Sequence, residues 1–248
     1  MKNRKKITVT LVIVARNEKK SSEVIFPRIP KKSVDDIILM DGNSTDGTQR
    51  YYKKQGVKVI EQKQKGIGAA MLEGREHVKT DALIFFHPDG NENPVDIAKV
   101  ADALREGHQF VIPSRMIKGG FNEEDNSLLK PRKWFNQIMA LFINLLWRRR
   151  LPFVSEIVQG FRGIQCETFD MLKIDKIDCS IDFQMVIRAL KYKVPIYEFP
   201  TKEGNRLFGE TNFTALMIGP IELKMFFREV FDKTTYPPKS VKPVLSTD

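Results

Sequence analysis

Five short apolar runs, separated by segments of helical character, constrain the fold more than any other feature of the sequence. They lie at residues 7–14, 36–40, 57–60, 82–86 and 110–113, and a strand-like segment follows at 194–200. Strands that alternate with helices at such short intervals predict a mainly parallel, doubly wound α/β sheet flanked by helices. In such sheets, ligands bind beyond the carboxyl ends of the strands.

Polar clusters follow four of these runs. They are Arg16-Asn17-Glu18, residues 41–48 (DGNSTDGT), residues 87–91 (HPDGN) and Ser114-Arg115. Turns and helix caps use the same residue types, so a single cluster indicates no more than a loop. Because the carboxyl ends of parallel strands meet at one edge of a sheet, we expect the four clusters to form one site.

The charge of the chain indicates an anionic partner. Its 41 Lys and Arg residues outnumber its 31 Asp and Glu residues, which gives a formal net charge of +10. This balance favours nucleic acid, a phosphorylated substrate or an acidic membrane surface, although a generally basic proteome produces it too. Nucleic acid is the least favoured partner, because the basic residues lack the interleaved aromatic side chains of a nucleic-acid platform.

One apolar segment, residues 136–147 (NQIMALFINLLW), lies between two basic clusters at 130–133 and 148–150. As a helix it would be about 18 Å long, which is too short to cross a bilayer. Trp134 and Trp147 lie near its ends. Residues 130–150 therefore predict either a helix at the interface of an anionic membrane or an amphipathic helix buried against the core, and both remain open.

The cysteines and the two ends of the chain bear on the cellular location of the protein and on its domain organisation. Cys166 and Cys179 lack metal-ligand spacing and indicate free thiols in a reducing compartment. The apolar run at 7–14 has no small-residue cleavage site after it, which favours a first strand over a signal peptide. We expect one domain over residues 1–236, located in the cytoplasm, and a disordered tail at 237–248.

Six motifs occur in a fixed order between about residues 8 and 212. They are VARNE (14–18), DGNSTDGT (41–48), KGIGAA (65–70), PSR (113–115), QGFR (159–162) and the segment from Arg206 to Thr211. Together they resemble the motifs of family 2 glycosyltransferases of GT-A fold. The resemblance is greatest to the polyprenyl-phosphate sugar synthases, typified by dolichol-phosphate mannose synthase.

This resemblance implies a nucleotide-diphosphate sugar as donor. It implies that the base and ribose contact residues at the first two strand ends, namely Ala15, Asn17, Glu18, Asp41 and Asp46, and that Lys65 and Gly66 lie near the nucleotide. Acidic and amide side chains can hydrogen-bond a base and ribose hydroxyls. A divalent cation, Mg²⁺ or Mn²⁺, is expected on the diphosphate, where it neutralises charge and assists departure of the leaving group.

The cation motif of the family, Asp-x-Asp, corresponds here to residues 87–89. His87 replaces the first aspartate and Asp89 retains the second, while Asn91 supplies a further polar group. Hard cations prefer oxygen ligands, so Asp89 and Asn91 are the expected ligands. His87 would be a borderline ligand for Mn²⁺ and a poor one for Mg²⁺. The alternative interpretation of HPDGN is an ordinary turn.

The resemblance further implies a polyprenyl phosphate as acceptor, with Asp89, Arg115, Arg132 and Arg206 in the catalytic machinery. A phosphate acceptor needs cations that hold two anionic reactants together more than it needs a general base. Structural salt bridges are the alternative role of each arginine. The expected enzyme is an inverting transferase associated peripherally with the cytoplasmic face of a membrane. Two alternatives stay open: transfer to a soluble or cell-surface glycan, and a non-catalytic module that binds nucleotide or anionic lipid.

Overall fold

Seven strands lie within the residues that the computed structural model describes, which are 6–126, 128–209 and 215–232. They are Val9–Ala15 (β1), Asp36–Asp41 (β2), Lys58–Glu61 (β3), Ala82–Phe86 (β4), Phe110–Ser114 (β5), Arg162–Gln165 (β6) and Ile196–Pro200 (β7). All belong to one sheet in the order β3-β2-β1-β4-β6-β5-β7. Only β6 is antiparallel to its neighbours among these strands, which confirms the predicted mainly parallel sheet.

The helices lie on both faces of the sheet. They are Lys19–Ile25 (α1), Thr48–Lys54 (α2), Ile67–His77 (α3), Asp96–Glu106 (α4), Pro131–Ile143 (α5), Cys166–Met171 (α6), Ile181–Lys191 (α7) and Ala215–Phe231 (α8). Within the described ranges, every helix is too short or too polar to span a membrane. Thr211 and the predicted tail at 237–248 lie outside the described residues.

Alternating side chains of β1 divide the core into two layers, as the two-residue period of a strand requires. Val12 and Val14 pack in the layer that contains residues of α3, α5 and α7. Leu11 and Ile13 pack in the opposite layer, which contains residues of α1, α2 and α4. Because β1 is buried on both faces, its sequence is a continuous apolar run rather than an alternating one.

The direction of the strands brings the predicted polar clusters to one edge. The strands β1, β2 and β4 are mutually parallel, and β4 and β5 are both antiparallel to β6, so all four point the same way. Their carboxyl ends therefore carry residues 16–18, 41–48, 87–91 and 114–115 to the same edge of the sheet. This edge is where a ligand of a doubly wound sheet is expected.

Helix α5 is apolar on its exposed face as well as on its buried face. It begins at Pro131, whose missing N–H is no loss at the first helical position. Met139 and Ile143 are buried in the core, whereas Leu141 is at least half exposed, as is Leu145 in the π-helical extension Asn144–Arg148 that continues α5. The helix is thus partly buried, as one of the two predictions for residues 130–150 required, yet it keeps an apolar surface.

Candidate active site

Two interlocked loops follow β1 and β2. The Asn17 side chain accepts a hydrogen bond from the Thr45 N–H at 2.8 Å, and the Asn17 N–H donates to Ser44 Oγ at 2.8 Å. Asn17 has a positive φ of 56°, which asparagine adopts more readily than most residues. Ala15 is buried, and its carbonyl accepts the Gly42 N–H at 2.8 Å. These bonds hold the predicted nucleotide-binding loops together at the sheet edge.

Asp41, the last residue of β2, is fully buried at this edge. Its Oδ2 accepts hydrogen bonds from the Ser44 N–H and from Gln49 Nε2, both at 2.8 Å. Its Oδ1 is buried and has no hydrogen-bond partner among the described residues. Since an unpaired buried oxygen is costly, Asp41 Oδ1 suits a donor from a ligand, such as a base N–H or a ribose hydroxyl.

Asp46 fixes the first turns of two helices. Its Oδ1 accepts hydrogen bonds from the N–H and hydroxyl of Thr48 at 2.9 and 2.6 Å, and its Oδ2 accepts the Lys19 N–H at 2.9 Å. Burial is the largest single influence on its pKa and raises it, but these hydrogen bonds together lower the pKa of Asp46. Asp46 therefore supports the loops, and its contact with a nucleotide stays a prediction.

Arg206 joins the ends of β1 and β4. Its guanidinium pairs with Glu18 Oε1, and its Nη1 lies 3.1 Å from Asp89 Oδ2. The other Glu18 oxygen accepts a hydrogen bond from Ser21 Oγ at 2.8 Å. Burial raises the pKa of Glu18, although the Ser21 hydrogen bond and the Arg206 charge act in the opposite direction. Three predicted site residues from three separate segments thus lie in direct contact.

Residues 201–209 cross the turn that follows β4. The Gly204 N–H donates to the Asn91 carbonyl at 2.8 Å, and the Leu207 N–H donates to the Asp89 carbonyl at 2.9 Å. Gly90 has a φ of 101°, and a Cβ there would lie 2.5 Å from Leu207 Cγ. Glycine is therefore required for the crossing, which positions the Arg206 guanidinium against Asp89.

Asp89 and Asn91 fit a divalent cation chemically, because they offer the carboxylate and amide oxygens that Mg²⁺ and Mn²⁺ prefer. Asn91 Oδ1 is buried without a hydrogen-bond partner in the described part of the chain. Asp89 Oδ2 is shared with Arg206, so a cation at Asp89 has to compete with that guanidinium. The described residues contain no cluster of three or more His, Cys, Asp or Glu that suits a metal ion.

His87 forms an ion pair with Glu92. Its Nδ1 lies 2.8 Å from Glu92 Oε1, and its backbone N–H donates to Glu92 Oε2 at 2.7 Å. Burial alone would lower the pKa of His87, but chiefly the Glu92 carboxylate raises it to about 9. The second ring nitrogen, Nε2, is buried with no hydrogen-bond partner among the residues described. The residue that departs from the family motif therefore has a carboxylate partner of its own.

Arg115 is enclosed by two carboxylates. Its Nε and Nη2 donate to Glu156 at 2.9 and 3.0 Å, and its Nη1 donates to Glu203 at 2.7 Å. Burial opposes its charge, yet Glu156 and Glu203 raise the pKa of Arg115. Only 12% of the side chain is exposed. Its charge is thus balanced within the protein, and its contact with the acceptor stays a prediction.

Arg132 lies at the start of α5 and is more open to solvent. It pairs with Glu123 and Glu124, and 39% of its side chain is exposed. Burial lowers the pKa of Arg132; Glu203 opposes this effect, and the neighbouring charge of Arg115 adds to it. The Glu123 N–H donates to Glu203 Oε2 at 3.0 Å, and Glu203 pairs with Arg115, so the beginning of α5 lies beside the end of β5.

Lys65 and Gly66 lie where the chain enters α3. Gly66 has a φ of 125°, and a Cβ there would lie 2.1 Å from the Ile177 carbonyl oxygen. The same carbonyl accepts the Ala69 N–H at 3.1 Å. This close packing explains the glycine, whereas Lys65 is exposed. Contact of Lys65 and Gly66 with a nucleotide stays a prediction.

Two acidic residues outside the predicted set of site residues organise the site, and one of them, Glu92, belongs to the polar stretch that follows β4. Glu92 holds His87, and Glu203 binds both Arg115 and Asn122. Each lies within five residues of a predicted site residue, which is the only signal the sequence carries for them. Loop carboxylates at such spacings are usually solvated, so their partners could be identified only from the folded chain.

Comparisons with known proteins agree with this architecture. The model of the family described as Glycosyl transferase family 2 matches residues 10–172. Dolichol-phosphate mannosyltransferase of Pyrococcus furiosus is 27% identical over 85% of this chain, and the match spans only 60% of that relative's length. UDP-N-acetylglucosamine–dolichyl-phosphate N-acetylglucosaminyltransferase of Methanococcus voltae is 25% identical over 89% of this chain and 94% of its own.

A solved structure has the same fold. The crystal structure of glucosyl-3-phosphoglycerate synthase from Mycobacterium tuberculosis, in complex with Mn²⁺, UDP and glucosyl-3-phosphoglycerate, superposes with a TM-score of 0.67. The two chains are 18% identical, and the match covers 95% of this chain and 82% of the other. At this identity the likeness concerns the fold alone, and it confirms the predicted GT-A fold.

Proposed function

This chain belongs to glycosyl transferase family 2, and from that premise we propose that it transfers a sugar from a nucleotide-diphosphate sugar to a polyprenyl phosphate with inversion. The two relatives named for dolichol and dolichyl phosphate support the lipid acceptor. We place the reaction at the cytoplasmic face of a membrane, with peripheral attachment, because both cysteines are free thiols, as a reducing compartment favours. Residues 1–236 would form one catalytic domain.

The donor would lie along the ends of β1, β2 and β4. The unpartnered Asp41 Oδ1 would accept a hydrogen bond from the nucleoside, and Asn17 and Glu18 belong to the adjoining loop. Asp89 and Asn91 would hold Mg²⁺ or Mn²⁺ through their side-chain oxygens. When bound, such a cation neutralises the diphosphate and makes it a better leaving group.

The transfer itself needs no dedicated base. An oxygen of the acceptor phosphate, which is largely ionised near neutral pH, attacks the anomeric carbon as the bond from that carbon to the diphosphate oxygen breaks. The electron pair leaves with the nucleoside diphosphate. Arg206 can bind a phosphate through two N–H groups once its contacts with Glu18 and Asp89 are exchanged for it. Arg132, which is more open, would bind the acceptor phosphate.

The observation that carries the lipid acceptor is the position of the apolar face of α5. Arg132, at the start of α5, pairs with Glu123, whose N–H donates at 3.0 Å to Glu203, the carboxylate that pairs with Arg115 at the end of β5. Apart from Gln137, the exposed side chains that follow along the helix and its π-helical extension are apolar: Trp134, Ile138, Leu141, Phe142, Leu145 and Leu146. Exposed apolar surface of this extent, ending in Arg148–Arg150, suits a lipid chain and an anionic membrane.

The test supplies the purified full chain with Mg²⁺ or Mn²⁺, a polyprenyl phosphate and a panel of nucleotide sugars. Lipid-linked sugar and released nucleoside diphosphate are both measured. We expect Asp89→Asn to lower turnover at least about 100-fold, because the cation loses a charged ligand. Asp102→Asn is the matched control, since Asp102 is exposed on α4 and outside the site.

Three results would contradict the proposal in different ways. Transfer to a soluble glycan without lipid would overturn the acceptor. Binding of nucleotide without turnover of any sugar would indicate a non-catalytic module. Equal turnover by Asp89→Asn and by Asp102→Asn would overturn the assignment of the cation site.

A further inference from the structure

A second group of unpartnered polar atoms lies beside the cation motif. His87 Nε2, Gln159 Oε1 and Asp182 Oδ1 are all buried, and none has a hydrogen-bond partner within the described ranges. They come from the end of β4, the loop before β6 and the start of α7. Since buried polar groups are normally hydrogen-bonded, three such atoms from three segments indicate a place for a polar ligand.

The His87 ring is held in a fixed position. Glu92 binds both its backbone N–H and its Nδ1, at 2.7 and 2.8 Å. Gly160 lies against the same edge of the ring, where a Cβ would be 2.6 Å from His87 Cε1, 3.0 Å from His87 Nδ1 and 3.5 Å from Glu92 Oε1. Only glycine permits this approach. It brings the neighbouring residue, Gln159, to the histidine and leaves Nε2 as the ring nitrogen that remains for a ligand.

A buried arginine fixes the other two residues. Arg162 has no exposed surface, and its guanidinium donates to the carbonyl oxygens of Gln159 and Asp182 at 2.8 and 2.9 Å. Arg162 Nε also lies 3.2 Å from Asp182 Oδ1, in an arrangement that forms no hydrogen bond. The main chains of Gln159 and Asp182 are thus anchored. Gln159 Oε1 has no hydrogen-bond partner among the described residues, and Asp182 Oδ1, although it is ion-paired with Arg162, can still accept a hydrogen bond from a ligand.

His87 and Asp89 turn to different partners. The ion pair of His87 is with Glu92, whereas that of Asp89 is with Arg206. His87 is therefore engaged through Nδ1 with Glu92 and not with the partner of Asp89. The charges around His87 are paired within the protein, His87 with Glu92 and Asp182 with Arg162, so they leave no unpaired cation to bind a phosphate. A neutral ligand rich in hydroxyl groups fits the available atoms better.

We propose that His87, Gln159 and Asp182 bind hydroxyl groups of the transferred sugar and that Glu92 is the positioning residue for His87. This inference rests on the proposed function, since it concerns the sugar of the same donor. Gln159 Oε1 and Asp182 Oδ1 accept hydrogen bonds from hydroxyls, and His87 Nε2 makes the third contact. His87 thereby serves sugar recognition and is not a cation ligand.

Calorimetry with the full chain and Mn²⁺ tests this without any acceptor. The dissociation constant of each nucleotide sugar is compared with that of its nucleoside diphosphate, for the unmodified protein and for Gln159→Leu and His87→Asn. The asparagine amide can replace Nδ1 as donor to Glu92, but it lacks Nε2. We expect each variant to weaken nucleotide-sugar binding about 5- to 30-fold and to change nucleoside diphosphate binding less than twofold.

Two controls accompany the variants. Gln165→Leu makes the same change at the opposite edge of the sheet, where Gln165 Nε2 bonds the carbonyls of Gly107 and His108, and should leave both constants unchanged. Mn²⁺ titration followed by electron paramagnetic resonance should give the same affinity for His87→Asn as for the unmodified protein. If Gln159→Leu fails to fold, His87→Asn decides the question.

An equal loss of affinity for nucleotide sugar and nucleoside diphosphate would overturn the inference, and so would weaker Mn²⁺ binding by His87→Asn. Failure of the proposed function looks different. If the variants lose affinity for the nucleotide sugar alone, but the protein glycosylates no polyprenyl phosphate, the proposed acceptor is rejected and the sugar pocket is retained. If the protein glycosylates a polyprenyl phosphate and both variants have an unchanged KM for the nucleotide sugar, the proposed function is supported and the sugar pocket is rejected.

Discussion

Glu222, on the buried face of α8, should make the stability of the protein fall as the pH rises. Its side chain is almost completely buried, with 2% of the residue exposed. Burial, followed by the nearby charge of Asp182, raises the pKa of Glu222 from its ordinary value of 4.5 to about 8. In the unfolded chain the carboxyl ionises near 4.5, so the unfolded state gives up its proton first as the pH increases.

The sign and the magnitude follow from this difference. Below pH 4.5 the carboxyl is protonated in both states and has no effect on the pH dependence. Between pH 4.5 and 8 the folded state binds more protons than the unfolded state, so each pH unit lowers the free energy of unfolding by about 1.36 kcal/mol. The complete loss, reached above pH 8, is at most about 5 kcal/mol.

Glu222→Gln removes this titration while keeping the shape of the protonated acid. Urea unfolding of both proteins at pH 5, 7 and 9 measures the free energy of unfolding. We expect nearly equal values at pH 5 and a variant that is more stable by several kcal/mol at pH 9. Free energies that fall in parallel for the two proteins between pH 5 and pH 9 would refute the reasoning.

Glu229→Gln is the matched control from the same helix face. Glu229 is also buried, but it lies 2.9 Å from Arg188 Nε and 2.7 Å from Lys191 Nζ. Glu229→Gln removes the charge that faces both cations, and Arg188 keeps only the more distant Asp175 at 3.6 Å; removing one partner of a buried pair costs about 3 to 5 kcal/mol. At pH 9 the two Glu→Gln changes should therefore have opposite effects on stability, although they replace the same residue type seven positions apart.

Two further predictions concern the site and the helix beside it. Arg206→Gln should raise the affinity for Mn²⁺ about fivefold in a titration of the protein alone, because Asp89 loses a competing cation. Arg132→Gln is the control. Unchanged Mn²⁺ affinity in Arg206→Gln would contradict the competition between Arg206 and the cation. Replacement of Leu141, Phe142 and Leu145 by Ser should lower binding to anionic vesicles at least about 100-fold in a sedimentation assay, since three exposed apolar side chains lose contact with lipid. Val24→Ser, an exposed apolar residue on α1, should have no such effect, and equal vesicle binding by the two proteins would reject α5 as the membrane-facing helix.

The strands of the sheet differ in how well the sequence predicts them. The first five are short apolar runs, and their ends agree with the predicted runs to within two residues. In contrast, β6 has the sequence RGIQ, with a charged first residue and no apolar run. It is a strand because Ile164 pairs with Leu83 of β4 and Phe110 of β5, which are distant in the sequence. Long-range pairing of this kind leaves no local pattern.

The strand-end residues of the candidate site were predictable for a physical reason. A polar residue directly after a buried parallel strand has to lie at the carboxyl edge, so the positions of Glu18, Asp41 and Asp89 follow from the positions of the strands. The position of Arg206 does not follow in this way. It lies more than 100 residues beyond Asp89, and backbone bonds of Gly204 and Leu207 bring it there.

The arginines illustrate why residue type alone does not define an electrostatic site. In the sequence, Arg115, Arg132 and Arg206 are equivalent charges. In the folded chain Arg115 is buried between Glu156 and Glu203. If the arginine turned to a substrate, these two buried carboxylates would lose their partner, which is costly. Arg132 and Arg206 have more exposed side chains and carboxylate partners that a phosphate can replace. We therefore expect an anionic acceptor to exchange partners more readily at these two arginines than at Arg115, whose own contact with the acceptor stays a prediction and whose pair with Glu203 holds the residue 201–209 segment at the end of β5.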